Sequence, residues 1–221
     1  METPTGSHHV RLSPHNPVPT LVSAVLSLFS GAALVIAIGL RANLGIVFVS
    51  LTVLVAAAGG LVWSTSTPAN KANLKSKYTF GVLAGLLGTL AYDSSRWCLV
   101  KLIGWTFNPF GALPVFGRLF LGNGYPATIV IAVGICYHVL NGVLFAIAYC
   151  LVAFGKPWYW GIFWALALEG AMFTLYPGWL DLRAVMKEFT VVSVTGHIVY
   201  GSVIGAVCQS PFRISTRFKL I

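Results

Sequence analysis

The chain has 221 residues, 57% of them hydrophobic and only 9% charged, with a mean hydropathy of +0.83 and a formal net charge of +9. A water-soluble domain carries roughly 25% charged residues, so the composition excludes an ordinary soluble globule and requires a bilayer as solvent. The positive charge does not indicate nucleic acid, because the basic residues are scattered singly among loops and ends rather than gathered on a patch with interleaved aromatics.

The first segment, residues 1–17, is rich in Pro, His, Ser and Thr and has too little apolar surface to form a core, which predicts a disordered tail. No Asp, Glu, Lys or Arg occurs between Arg11 and Arg41, between Arg41 and Lys71, between Arg118 and Lys156, or between Glu188 and Arg213. Each run accommodates the roughly 20 apolar residues of a transmembrane helix. The first span, Val18–Leu40, exceeds the roughly 7–15-residue core of a secretory signal and is read as retained. Leu44–Trp63 follows, then Tyr78–Val100, which is apolar except for Asp93 and Arg96. The connection 101–126, KLIGWTFNPFGALPVFGRLFLGNGYP, is long and carries Trp105, Phe107, Phe110, Phe116 and Phe120 among Gly and Pro. It reads either as a lid over a cavity or as an aromatic anchor at the membrane interface.

The remaining spans are Ala127–Phe154, Trp158–Tyr176 and Phe189–Gln209, followed by a basic tail, 210–221. Pro177 and Gly178 are expected to end the fifth helix, and Asp181, Arg183, Lys187 and Glu188 to form a charged rim before the sixth. Transmembrane barrels show alternating ten-residue strands, not long apolar runs. The expected fold is therefore an all-α integral membrane protein, one domain over 18–209 built as a bundle of about six transmembrane helices.

Orientation follows from the basic residues. Arg11, Lys71, Lys75, Lys77, Lys156, Arg213, Arg217 and Lys219 lie on the side of the termini, against Arg41, Lys101, Arg118, Arg183 and Lys187 on the other, which is eight against five. The positive-inside rule then puts both termini in the cytoplasm and the aromatic connection outside. Cys98, Cys136, Cys150 and Cys208 fall inside spans with no C-x-x-C spacing, so zinc ribbons and disulfides are not expected.

Chemistry is sought where ionisable groups lie in the bilayer, since a charge at a helix centre costs at least about 2.5–3.5 kcal/mol. At 1.5 Å per residue, Glu169 lies roughly 16 Å from the cytoplasmic face, and His138 reaches a similar depth. His197 lies roughly 12 Å below the outer face and Asp93 roughly 22 Å above the inner one. Glu169, His138 and His197 are the candidate catalytic residues, two imidazoles and a carboxylate suited to acid/base work, a proton relay or a metal. Asp93 and Arg96 share a helix face. They form either an ion pair that fixes helix rotation or a clamp for a polar substrate group.

Asn141, Trp97 and Asp181 complete the candidate binding set, Trp97 as a ring beside the Asp/Arg pair and Asp181 reaching over the cavity mouth. His138 to Gly142 and His197 to Gly201 both read H-x-x-x-G, so each histidine lies one turn from a glycine at which a neighbouring helix approaches. No E-x-x-H or H-x-x-x-H spacing occurs within a helix, so no cofactor is expected; a metal or haem would need ligands from separate spans. P-loop, G-x-S-x-G and desaturase-type His boxes are absent from the sequence.

The expected function is an enzyme or binding protein for a small lipophilic molecule, working by acid/base chemistry. The alternatives are a small proton- or ion-coupled transporter or channel, and an accessory membrane subunit. The bilayer is the expected partner, and the glycine ridges permit a homodimer.

Overall fold

A computed structural model of the chain describes residues 17–180 and 182–217, without the side chains of 175–179 and 210–217. Helices occupy the expected apolar runs, and the described residues contain no strand. In chain order they are α1 (Val18–Leu26), α2 (Phe29–Leu40), α3 (Leu44–Thr65), α4 (Pro68–Ile103), α5 (Ala112–Leu121), α6 (Ala127–Ala153), α7 (Tyr159–Trp179) and α8 (Met186–Arg217), with a single 3-10 turn at Arg183–Val185. The disordered tail expected over 1–17 lies outside the described residues except for Pro17.

Local chemistry explains the boundaries. The run expected as one helix, Val18–Leu40, breaks into α1 and α2 with a bend of 42°. Ser27 Oγ donates to the Ser23 carbonyl at 2.8 Å, a back-bond that competes with the helix ladder and bends it. Arg41 stops α2 in the left-handed region at φ 53°. Asn43 then caps α3 by accepting from the Ile46 amide at 3.1 Å. Thr67 caps α4, with Pro68 as its first residue, and Gly104 ends it at φ 77°.

Several boundaries differ from those expected, the largest being the start of α4 at Pro68 rather than Tyr78. The aromatic connection is not loop throughout, because α5 forms inside it. The helix expected to end at Tyr176 runs through Pro177 to Trp179, since a proline in the last turn removes only one N–H donor. And α8 continues to Arg217, into the segment expected as a tail.

Three helical segments, Leu44–Thr65, Ala127–Ala153 and Arg183–Gln209, are long and apolar enough to cross a membrane, and the bent α1–α2 pair makes a fourth. α4 and α7, which carry Asp93, Arg96 and Glu169, are not among them. α4 is the central element, packed along α6 on one side and α8 on the other, with α7 against α8 and α5 against α6. Small residues permit these close crossings. A methyl group at Gly85 would strike the Val143 backbone of α6, and one at Gly201 would strike the Gly161 backbone of α7. α3 stands at the periphery, and Leu44 at its start is its only buried residue.

One expectation about the cysteines is corrected. Cys150 of α6 and Cys208 of α8 form a disulfide, with Cα atoms 5.9 Å apart, while Cys98 and Cys136 are free and exposed. Spacing along the chain does not reveal it, because the two residues are brought together by the packing of the helices that carry them.

Candidate functional site

A cavity of about 650 Å³ lies among α2, α4, α5, α6, α7 and α8. Its walls are mainly apolar, with Leu34, Phe145 and Met172 from α2, α6 and α7. Phe107 and Phe110 of the 104–111 loop and Phe116 of α5 also line it. Asp93, Arg96, His138, Asn141, Ser193 and His197 supply polar groups on the lining.

Two carboxylate–imidazole pairs are built there. His197 Nδ1 lies 2.9 Å from Glu169 Oε2 and 3.0 Å from the Ser193 carbonyl. A carbonyl can only accept, so Nδ1 faces both oxygens as the donor, and the neutral tautomer with that geometry has its lone pair on Nε2. Ser193 Oγ donates to the same Glu169 oxygen at 3.1 Å. Glu169 is 2% exposed and His197 7%, and Glu169 Oε1 has no hydrogen-bond partner among the described residues. The second pair is more open: His138 Nε2 lies 3.0 and 3.1 Å from the two Asp93 oxygens.

Tyr92 stands between the pairs, its ring centroid 5.0 Å from that of His197 and 6.0 Å from that of His138. Arg96 lies over the same ring at 4.6 Å, in cation–π geometry. The guanidinium reaches Asp93 only at 3.8 Å but donates to the Pro109 carbonyl at 2.7 Å. Arg96 therefore ties the loop to α4. Glu188 ties it to α8 by accepting from the Phe107 amide at 2.9 Å.

Comparison with known protein families, curated proteins and solved structures finds no match.

Glu169, His138 and His197 were grouped from sequence as one cluster; the structure distributes them over two pairs, with Asp93 rather than Glu169 holding His138. Arg96 and Asn141 line the cavity, and the Asn141 Oδ1 atom is buried with no hydrogen-bond partner among the described residues. Trp97 lies outside it, 51% exposed on the outward face of α4. Asp181 falls outside the described residues. Among the described residues, no three His, Cys, Asp or Glu side chains converge to hold a metal ion.

Sequence reasoning missed Tyr92, Ser193, Tyr200 and the role of Glu188. Ser193 had a signal, since it precedes His197 by one helical turn and shares its face. Tyr92 likewise precedes Arg96 by four residues. Tyr200 donates to the Gly142 carbonyl at 2.6 Å, joining the two H-x-x-x-G segments of α6 and α8; nothing along the chain announces that bond.

Proposed function

We propose that the chain is a multi-pass membrane protein of six spans, the α1–α2 pair, α3, α4, α6, α7 and α8, with both termini cytoplasmic. The cavity takes a small lipophilic molecule with a polar end and acts on it, or holds it, by acid/base chemistry. The observation that carries this reading is an apolar cavity whose polar lining includes the histidines of two carboxylate–imidazole pairs.

Pairing supports α4 and α7 as spans, because a carboxylate bonded to an imidazole costs less to bury than a lone one. The eight-to-five distribution of basic residues supports the orientation. The Cys150–Cys208 disulfide is buried between α6 and α8. A reporter fused to the C terminus that is active only in the cytoplasm tests the orientation.

In the proposed chemistry, His197 Nε2 takes a proton from the polar end of the bound molecule, and Glu169 offsets the imidazolium charge. The Asp93–His138 pair offers a second proton acceptor or donor across Tyr92. The apolar walls and the tethered loop exclude water and hold the rest of the molecule.

Glu169→Gln, His138→Ala and His197→Ala test the reading. Each variant is purified in detergent, its bound lipophilic compounds are identified by mass spectrometry, and its function is assayed in cells. A compound bound by wild type and lost from Glu169→Gln supports the proposal; three well-folded, fully functional variants with unchanged contents defeat it. The bracketing of Tyr92 by the two pairs also favours a second reading, a proton-coupled carrier. Proton uptake by reconstituted vesicles that His138→Ala abolishes separates that reading from the first.

A further inference from the structure

A second site lies at the other end of α4. α3 and α4 part directly after the turn that joins them, α3 packing on α1, α2 and α5 while α4 packs on α6 and α8. Between them runs a groove of about 410 Å³, floored by Ser23 of α1. Its apolar part is formed by Gly59, Val62 and Leu74, and a methyl group added at Gly59 would meet nothing within 4 Å. Trp63, Tyr78 and Lys75 complete the walls.

Lys71, one turn before Lys75, places its ammonium 5.7 Å from the Trp63 ring centroid. Neither lysine forms an ion pair among the described residues. The described acids are engaged elsewhere, Asp93 with His138, Glu169 with His197 and Glu188 with the Phe107 amide.

We propose that this groove holds an anionic phospholipid. Its phosphate meets Lys75 and Lys71, and one acyl chain lies along Gly59, Val62 and Leu74. Three features favour this occupant. The cations lack counter-charges among the described residues and adjoin a groove lined in part by the apolar Gly59, Val62 and Leu74. Trp63 and Tyr78 are the amphipathic rings that sit at the boundary of headgroups and hydrocarbon. And a lysine on a flexible stem reaches up to a headgroup while its methylenes remain in the apolar layer. The inference rests on the membrane location and not on the chemistry assigned to the cavity.

The test uses the full chain in nonionic detergent with added dioleoyl phosphatidylglycerol or dioleoyl phosphatidylcholine, bound lipid being read by native mass spectrometry. The glycerol lipid binds tighter, and Lys75→Gln and Lys71→Gln each weaken it by about fivefold while leaving the choline lipid unchanged. Gly59→Leu, which fills the groove and keeps both lysines, displaces both lipids. Equal binding of the two lipids, or indifference of the glycerol lipid to both lysine substitutions, overturns the proposal. Full competition by inorganic phosphate also overturns it, since the site would then be one for a free anion. Failure of the membrane reading itself is recognised separately, as recovery of the chain in the soluble fraction without detergent.

Discussion

Removing His197 tests whether Glu169 and His197 form a unit distinct from Asp93 and His138. The His197–Glu169 bond is 2.9 Å long and both partners are more than nine-tenths buried. A hydrogen bond to a charged group in such a place contributes about 1.5–3 kcal/mol. Removing His197 leaves the buried Glu169 carboxylate with only the Ser193 hydroxyl as partner, which costs about 3 kcal/mol. Glu169→Gln first removes that charge, so His197→Ala in its background costs only the loss of a neutral hydrogen bond, about 0.5–1.5 kcal/mol.

The double-mutant cycle should therefore show a coupling of at least about 1.5 kcal/mol between positions 169 and 197. The same cycle between Glu169 and His138 should be additive within about 0.5 kcal/mol. Unfolding in detergent micelles, followed by tryptophan fluorescence and circular dichroism, provides the four free energies of each cycle. Additivity at 169 and 197, or strong coupling between 169 and 138, would falsify the two-pair arrangement.

Other consequences are open to direct measurement. Gly85→Val should destabilise by about 3 kcal/mol, near the upper end for overpacking, because the obstacle is the α6 backbone. Gly170→Ala, with open space around it, should be neutral or stabilise by up to about 1 kcal/mol, and unfolding in micelles reads both. Glu188→Ala frees the Phe107 amide and should speed its hydrogen exchange about tenfold, the equivalent of 1.4 kcal/mol, whereas unchanged protection would mean the loop is held by other contacts. Peptide mapping without reductant should recover a peptide pair joined through Cys150 and Cys208, with Cys98 and Cys136 alkylated; alkylation of all four cysteines would show the thiols to be unpaired.

The positions of the helices were legible in the chain because a long apolar run can satisfy its backbone polar groups internally only as a helix. An uncharged run of sufficient length becomes a helix whatever its neighbours, as α3 and α6 do at nearly the expected limits. The rarity of charge inside those runs also brought Asp93, Glu169, His138 and His197 forward as candidates, since each is costly to bury without a partner. Which partner each takes was not legible. Asp93 lies three residues from Arg96, and the local rule of helix faces pairs those two, yet the closer bond is to His138, 45 residues away on α6.

Such choices depend on helix rotation and crossing, which small residues set across an interface: Gly142 against Thr89, Gly201 against Gly161. The same packing brought Cys150 to Cys208 and placed Tyr92 between two histidines. It also turned Trp97 outward although its neighbour Arg96 points in. Composition and spacing along one chain determine what must leave water and what must be paired. Distances between residues far apart in sequence are decided only when the helices meet, and those distances make the cavity.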